Sequence, residues 1–360
     1  MARILVGLSG GVDSSVAAAL LVEQGHDVVG AYMKNWVNDE GIPGECPWEQ
    51  DIQDALAVAK TTGIEFRVID LVDEYRARIV NYLIEGYRAG YTPNPDVLCN
   101  REMKFGVFLD YALEQGFDYV ATGHYARVRR NPATGLFELL KGLDPSKDQS
   151  YFLHRLTQAQ LSRTLFPVGE LHKSEVRRIA AEIGLPNAKK KDSTGICFIG
   201  ERPFKEFLMR YLAPKKGEIR CLDDERVLGE HDGLTYHTIG QRKGLGLSGG
   251  PWFVVKKDIE ENTIYVSRGY GVETQYGNEF RMHDFHFITD NPWKGQEKEI
   301  DITFKIRHTP DFTKGKLIQE GEKQFHILSS EKLQGIAPGQ FGVIYDEEAK
   351  VCVGSGEIIC

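Results

Sequence analysis

Short apolar runs alternate with amphipathic stretches through the first half of the chain. Arg3-Ile4-Leu5-Val6-Gly7-Leu8 is almost wholly apolar and rich in branched residues, which predicts a short buried strand. Val16–Val22 follows as a run of strong helix formers, which predicts a helix. The pairing recurs, with strands predicted at Asp27–Met33, Glu65–Asp70 and Asp118–Ala121 and a helix at Glu49–Thr62. A polar Gly/Pro-containing loop through Pro47 precedes that helix. Strands and helices at this spacing indicate βαβ units, hence an α/β, doubly wound parallel sheet. Ligands of such sheets bind beyond the carboxyl ends of the strands. Ser9 to Ser15, Met33 and Gly123-His124 would lie along that edge.

Further on, Ala126–Arg130 and Leu136–Lys141 predict a hairpin, and Ser174–Ile183 and Pro203–Tyr211 predict helices. From about residue 212 the texture changes. Glycines multiply, helical periodicity fades, and short alternating runs appear, such as Thr263–Val266, Ile300–Ile306 and Gly342–Tyr345. The expected organisation is a catalytic α/β domain over 1–201, a small connecting domain over 202–277, and a β-barrel-like domain over 278–360.

Composition narrows the class. Hydrophobic content of 41% and charged content of 27% are those of a soluble globular protein. No apolar run approaches the roughly 20 residues that span a bilayer, and a strand beginning by Arg3 leaves no room for a signal peptide, so no membrane partner is expected. Six cysteines, none in a C-x-x-C pair, argue against a disulfide framework or a zinc knuckle and fit a reducing cytoplasm. A net charge of −8 argues against a general nucleic-acid binder. Two segments depart from it: 202–220 holds six Lys/Arg against two acids, and 235–257 holds four against none. Such clusters suit a local phosphate-binding face as well as they suit solvated loops.

The candidate chemistry begins at Ser9-Gly10-Gly11-Val12-Asp13-Ser14-Ser15, a glycine pair at a strand-to-helix turn with hydroxyls and a carboxylate at the helix start. Glycines let the backbone approach a ligand, and the helix N-terminus favours an anion there, typically phosphate. It is not the usual nucleotide P-loop, whose lysine reaches the phosphates, because no lysine precedes Lys34. A helix cap alone would need only Asp13 or Ser14. The string resembles the pyrophosphate (PP) loop of ATP pyrophosphatases, which adenylate a substrate oxygen and release pyrophosphate.

Two cysteines occupy unusual settings. Cys99 follows Thr92-Pro93-Asn94-Pro95-Asp96, where Pro95 suits a first helical turn and Asp96 and Cys99 share a face. Near a helix N-terminus a thiolate is stabilised. Cys197 sits in a glycine-flanked loop. Two thiols suit sulfur transfer, one carrying a persulfide and the other assisting its release. Cys46, Cys221, Cys352 and Cys360 read as inert. Gly244-Leu-Gly246-Leu-Ser-Gly249 matches a dinucleotide fingerprint literally, but it runs into Pro251 and a strand rather than opening a helix. His283 and His286, three apart in expected β-structure, point to opposite faces, so no protein-held metal is expected.

Ser9–Ser15, Asn94-Pro-Asp-Val-Leu-Cys-Asn100, Ala121-Thr-Gly-His-Tyr125, Lys147-Asp-Gln-Ser-Tyr-Phe-Leu153, Gly195-Ile-Cys-Phe-Ile-Gly200, His237–Leu245 and Ala337-Pro-Gly-Gln340 occur in that order. Together they resemble the bacterial tRNA-specific 2-thiouridylase family across essentially the whole chain. Ile196 is one departure, where methionine would be expected. The resemblance implies a tRNA substrate, with ATP adenylating the C2 oxygen of the wobble uridine in tRNAs for Lys, Glu and Gln. Sulfur would then replace that oxygen, giving AMP and pyrophosphate. It implies that Gly7, Leu8, Ser9, Gly10, Gly11, Val12, Asp13, Ser14, Met33 and Gly123 hold ATP, with magnesium carried by the nucleotide. Cys197 would receive a persulfide from a cysteine desulfurase or a sulfur-relay protein, Cys99 would be the nucleophile, and Asp96 the acid/base. Asn94, Pro95 and Asp96 would face the target base. Further tRNA contacts would come from His124, Lys147, Asp148, Gln149, Arg307, His308 and Gln340. A small-molecule amide- or amine-forming ATP pyrophosphatase explains the loop equally well but leaves both thiols and the β-rich third idle. An RNA-binding module with a degenerate nucleotide site leaves the intact loop unexplained.

Overall fold

The computed structural model describes residues 1–37, 48–192, 204–294 and 299–359. Cys46, Cys197 and Cys360 therefore lie outside the described residues.

Five parallel strands form the first sheet: β1 (Arg3–Gly7), β2 (Asp27–Lys34), β3 (Glu65–Asp70), β4 (Tyr119–Ala121) and, further along the chain, β7 (Thr164–Leu165), in the order β3-β2-β1-β4-β7. β1 is central, pairing Arg3–Gly7 with Asp27–Ala31 on one side and Ile4–Val6 with Tyr119–Ala121 on the other. Its side chains alternate between two cores. Ile4 and Val6 meet Ala18 and Leu21 of α1 (Val12–Glu23) and Ala55 and Ala59 of α2 (Trp48–Thr62). Leu5 meets the helical stretch 72–114 through Tyr75, Leu83, Phe105 and Phe108. Both faces are covered, which is why the run reads as continuously apolar. The carboxyl ends Gly7, Lys34, Asp70 and Ala121 share one edge.

Hairpin β5 (Ala126–Arg130) and β6 (Phe137–Lys141) forms as predicted but leaves the parallel sheet. It extends the C-terminal sheet instead, pairing Leu139 and Leu140 with Cys352 and Val351. A four-stranded middle sheet comprises β8 (Gly217–Cys221), β9 (Val227–His231), β10 (Trp252–Asp258) and β11 (Thr263–Arg268) around Ile219, Trp252, Val254 and Ile264. The remainder is β12 (Tyr276–Phe287), β13 (Glu299–Lys305), β14 (Thr313–Gln319), β15 (Phe325–Gln334), β16 (Phe341–Tyr345) and β17 (Val351–Ile359). β17 pairs back onto β12, closing a six-stranded antiparallel barrel around Phe280, Phe304, Phe325 and Ile344. Closure removes exposed sheet edges.

The alternation argument for His283 and His286 is interrupted, because a register shift separates them and Asp284 takes a positive φ of 47°. His286 bonds the Leu156 carbonyl at 3.0 Å. Among the described residues no group of three or more His, Cys, Asp or Glu could hold a metal, and no helix is long and apolar enough to cross a membrane.

Candidate active site

The loop after β1 is built so that its backbone carries the site. Gly10 takes φ +74°, and a Cβ there would lie 2.7 Å from the Asp51 carbonyl oxygen. Gly11 is extended and caps α1 without any side-chain hydrogen bond. The helix consequently starts at Val12, four residues before the predicted Val16, and Asp13 and Ser14 lie in its first turn rather than capping it. First-turn N–H groups have no partner within the helix, which leaves them for an anion. The loop carbonyls, by contrast, are occupied from inside. Asn187 donates to Gly10 O and Ser15 Oγ, both at 2.9 Å, and Ser15 Oγ donates to Gly11 O at 2.8 Å.

Gly123, just past β4, abuts this helix start so closely that a Cβ would lie 2.5 Å from Ser14 N. Met33 approaches from β2, its Cε 3.2 Å from where a Gly7 Cβ would sit. The structure thus brings residues 7–14, Met33 and Gly123 together.

Asp13 has two partners that sequence reasoning missed. Tyr125 donates its hydroxyl at 2.8 Å, and Lys173 places Nζ 2.7 and 2.8 Å from the two carboxylate oxygens. Burial and the Asp13 charge push the Tyr125 phenol far up, so it remains a donor. Lys173 also pairs with Asp192 at 2.7 Å, and Asp192 accepts from Lys147 at 2.8 Å and Arg177 at 2.9 Å. Burial alone would raise the Asp192 carboxyl, but the hydrogen bonds from Lys147 and Lys173 outweigh it and hold it at about 2. The one available signal was negative: a phosphate loop without a lysine needs its cation from elsewhere.

At the second candidate locus, Asn94 caps the helix Pro95–Leu98, its side chain accepting from Val97 N at 3.3 Å with Pro95 in the first turn, as predicted. The helix runs on through Cys99–Val107 and Phe108–Glu114. Cys99 lies just beyond the first turn, where the helix dipole fades, and is fully buried in the core that also holds Met33 and Phe108. Asp96 is half-buried. A barrel turn docks here. Gln340 Nε2 donates to Thr92 O at 2.6 Å, Asn94 Nδ2 donates to Gln340 Oε1 at 3.3 Å, and Thr92 N donates to Pro338 O at 2.9 Å.

The third group spans two units. His308 Nε2 bonds Asp148 O at 2.9 Å, joining the barrel to the loop 147–149. Asp148 itself is only 4% exposed, and its carboxylate accepts from Gly142 N, Ser150 N and Ser150 Oγ at 3.0–3.1 Å. It shapes the loop from within instead of presenting its carboxylate to solvent. Gln149 accepts from Tyr125 N at 3.0 Å, and Arg307 donates to Gln334 O. His124 is half-buried between Phe105 and Phe166, its Nδ1 2.7 Å from Thr122 Oγ1. Burial and the Lys104 charge push its pKa well down, so it is neutral.

Three family models match in series: a tRNA methyl transferase HUP domain over residues 2–201, a tRNA methyl transferase PRC-barrel domain over 205–268, and an aminomethyltransferase beta-barrel domain over 277–358. They define the class, a nucleotide-loop α/β unit carried with two β-modules in one chain. Among curated proteins, tRNA-specific 2-thiouridylase MnmA 1 of Bacteroides thetaiotaomicron is 56% identical over 98% of each chain. The tRNA-specific 2-thiouridylase MnmA of Akkermansia muciniphila is 72% identical over 74% of this chain and 75% of its own. The chain belongs to the tRNA-specific 2-thiouridylase family. Among solved structures, a 4-thiouridine synthetase–RNA complex with bound ATP overlaps 58% of this chain and 50% of its own, at a TM-score of 0.34 and 18% identity.

Proposed function

We propose that this protein thiolates tRNA, replacing the C2 oxygen of the wobble uridine of tRNAs for Lys, Glu and Gln with sulfur at the expense of ATP. The observation that carries this reading is the position of the Asn94–Cys99 turn. Its helix packs in one core with Met33 beside the loop, while its start is bonded to Gln340 of the barrel. This arrangement supports reading Cys99 as the thiol that works between the ATP loop and the barrel.

In this reading residues 7–14, Met33 and Gly123 hold ATP, with any magnesium travelling on the nucleotide. Adenylation turns the C2 oxygen into a leaving group. Asn94, Pro95 and Asp96 face the extruded base, and Asp96 moves the proton. The outer sulfur of a Cys197 persulfide, charged by a cysteine desulfurase or relay protein, bonds to C2 as AMP leaves. Cys99 then attacks the Cys197 sulfur, breaking the S–S bond to release 2-thiouridine and leaving a Cys99–Cys197 disulfide for an external thiol to reduce. His124, Lys147, Asp148, Gln149, Arg307, His308 and Gln340 border the tRNA, and the buried Asp148 carboxylate also holds that border in shape.

The test is purified protein with tRNA, ATP and a persulfide donor, read as 2-thiouridine by nucleoside mass spectrometry. Cys99→Ser and Cys197→Ser are each expected to abolish the product while retaining ATP binding. AMP formation that needs neither tRNA nor sulfur would instead favour the small-molecule amide-forming alternative.

A further inference from the structure

Every group proposed above for ATP lies in the loop or against it, and none is a cation. Transferring an adenylyl group normally draws on positive charge fixed near the phosphates. Lys173, first residue of the helix Lys173–Glu182, brings such a charge to the loop from 160 residues away in sequence. Its side chain is 11% exposed, and its ammonium contacts both Asp13 oxygens and Asp192 Oδ1 and lies 5.7 Å from the centroid of the Tyr125 ring. Asp144 faces the same region, but its oxygens are taken by Lys173 N at 2.9 Å and by Ser146.

A buried ion pair is a poor stabilising device, because desolvation offsets its attraction. This one is also not sealed, since the Asp13 side chain is 30% exposed at the mouth of the loop. An ammonium with three donors can exchange one carboxylate for a phosphate oxygen without being left bare. On its other side the cluster continues through Asp192 to Lys147, so Lys147, Asp192, Lys173 and Asp13 form one unbroken chain of charges.

We propose that Lys173 is the phosphate-facing cation of the ATP loop, and that Asp192 is the positioning residue holding it within reach while tying it to Lys147 on the tRNA side. The inference rests on the ATP and tRNA reading above. ATP and tRNA then act on the same cluster, so each must alter the other's affinity by the same factor.

Magnesium-ATP and tRNA binding to the full chain test this, for wild type, Lys173→Met, Lys173→Gln, Lys173→Arg and Asp192→Asn. Lys173→Met is expected to weaken ATP roughly ten- to hundredfold, the range of one charge-assisted hydrogen bond, while tRNA affinity without ATP stays within about twofold. Lys173→Arg should recover part of the loss. If the methionine variant does not fold, the glutamine variant, which still donates to both carboxylates, carries the measurement. A folded neutral variant that binds ATP as wild type does overturns the cation role. Asp192→Asn should bring the factor by which tRNA changes ATP affinity toward one. A factor unchanged in that variant, or equal to one in wild type, overturns the link to Lys147. Wild type that binds no ATP overturns the proposed function itself.

Discussion

Two aspartate–lysine pairs in the molecule behave oppositely. Asp13 and Lys173 meet at 2.7 Å with side chains 30% and 11% exposed. Asp148 and Lys305 lie 3.7 Å apart with side chains 3% and 1% exposed. The first pair is partly open to solvent on its Asp13 side and shares its lysine with Asp192. The second is closed off: Lys305 donates to Thr309 O at 2.6 Å and stacks 3.9 Å from the centroid of the Phe312 ring, while Ser150 links Asp148 to Tyr345. Burial pulls the Lys305 pKa down, although the neighbouring Asp148 charge works the other way. Identical charge chemistry therefore serves exchange where water can reach it and framework where it cannot.

The sharpest way to break this contrast is Asp148→Ala. It strands Lys305 in the core and removes the acceptor for two backbone N–H groups, at an expected cost of about 3–5 kcal/mol by thermal or denaturant unfolding. Adding Lys305→Met should return most of that loss, because an apolar replacement no longer needs the carboxylate. Asp13→Ala should do the reverse, costing within about 1 kcal/mol of stability because Lys173 retains Asp192. Its effect appears in adenylation instead, with ATP use reduced at least roughly tenfold, read as pyrophosphate release.

Lys257 sharpens the comparison from a third direction. It donates to the His237 carbonyl at 3.2 Å, and burial lowers its pKa from 10.5 to about 8. Between those values the unfolded chain binds the proton more tightly, so stability should rise with pH from about 8 to about 10.5. Lys257→Met should flatten that rise and gain on the order of 1–3 kcal/mol at pH 7. The smallest effect is expected from Tyr125→Phe, which removes one of the hydrogen bonds on Asp13. About 1 kcal/mol should appear as a few-fold weaker ATP affinity, with the melting temperature little changed.

Several features are legible in the amino-acid sequence. The apolar run at β1, the glycine pair after it, and the proline-started helix before Cys99 are local signals whose physics is complete within a few residues. The literal fingerprint at Gly244–Gly249 leads through a turn into β10 rather than opening a helix, as its Pro251 predicts. Other features are invisible for equally physical reasons. β7 is two residues long, too short for any periodicity, and exists because β4 offers it a partner. Hairpin β5–β6 is predictable as a hairpin, but its choice of partner sheet depends on β17, over two hundred residues away. The burial of the Asp148 carboxylate is equally unannounced, because Lys305 and Ser150 close around it only in the folded chain.

By itself the sequence determined the sheet, the loop and the order of the motifs, because strand periodicity, glycine dihedrals and helix capping act over a few neighbouring residues. Only the tertiary structure decided which polar and charged groups meet. Lys173 reaches Asp13, Gln340 reaches Asn94, and His308 reaches Asp148 across separations of 160, 246 and 160 residues. A Coulomb interaction depends on distance in space and on exclusion of water, and neither is written in spacing along the chain.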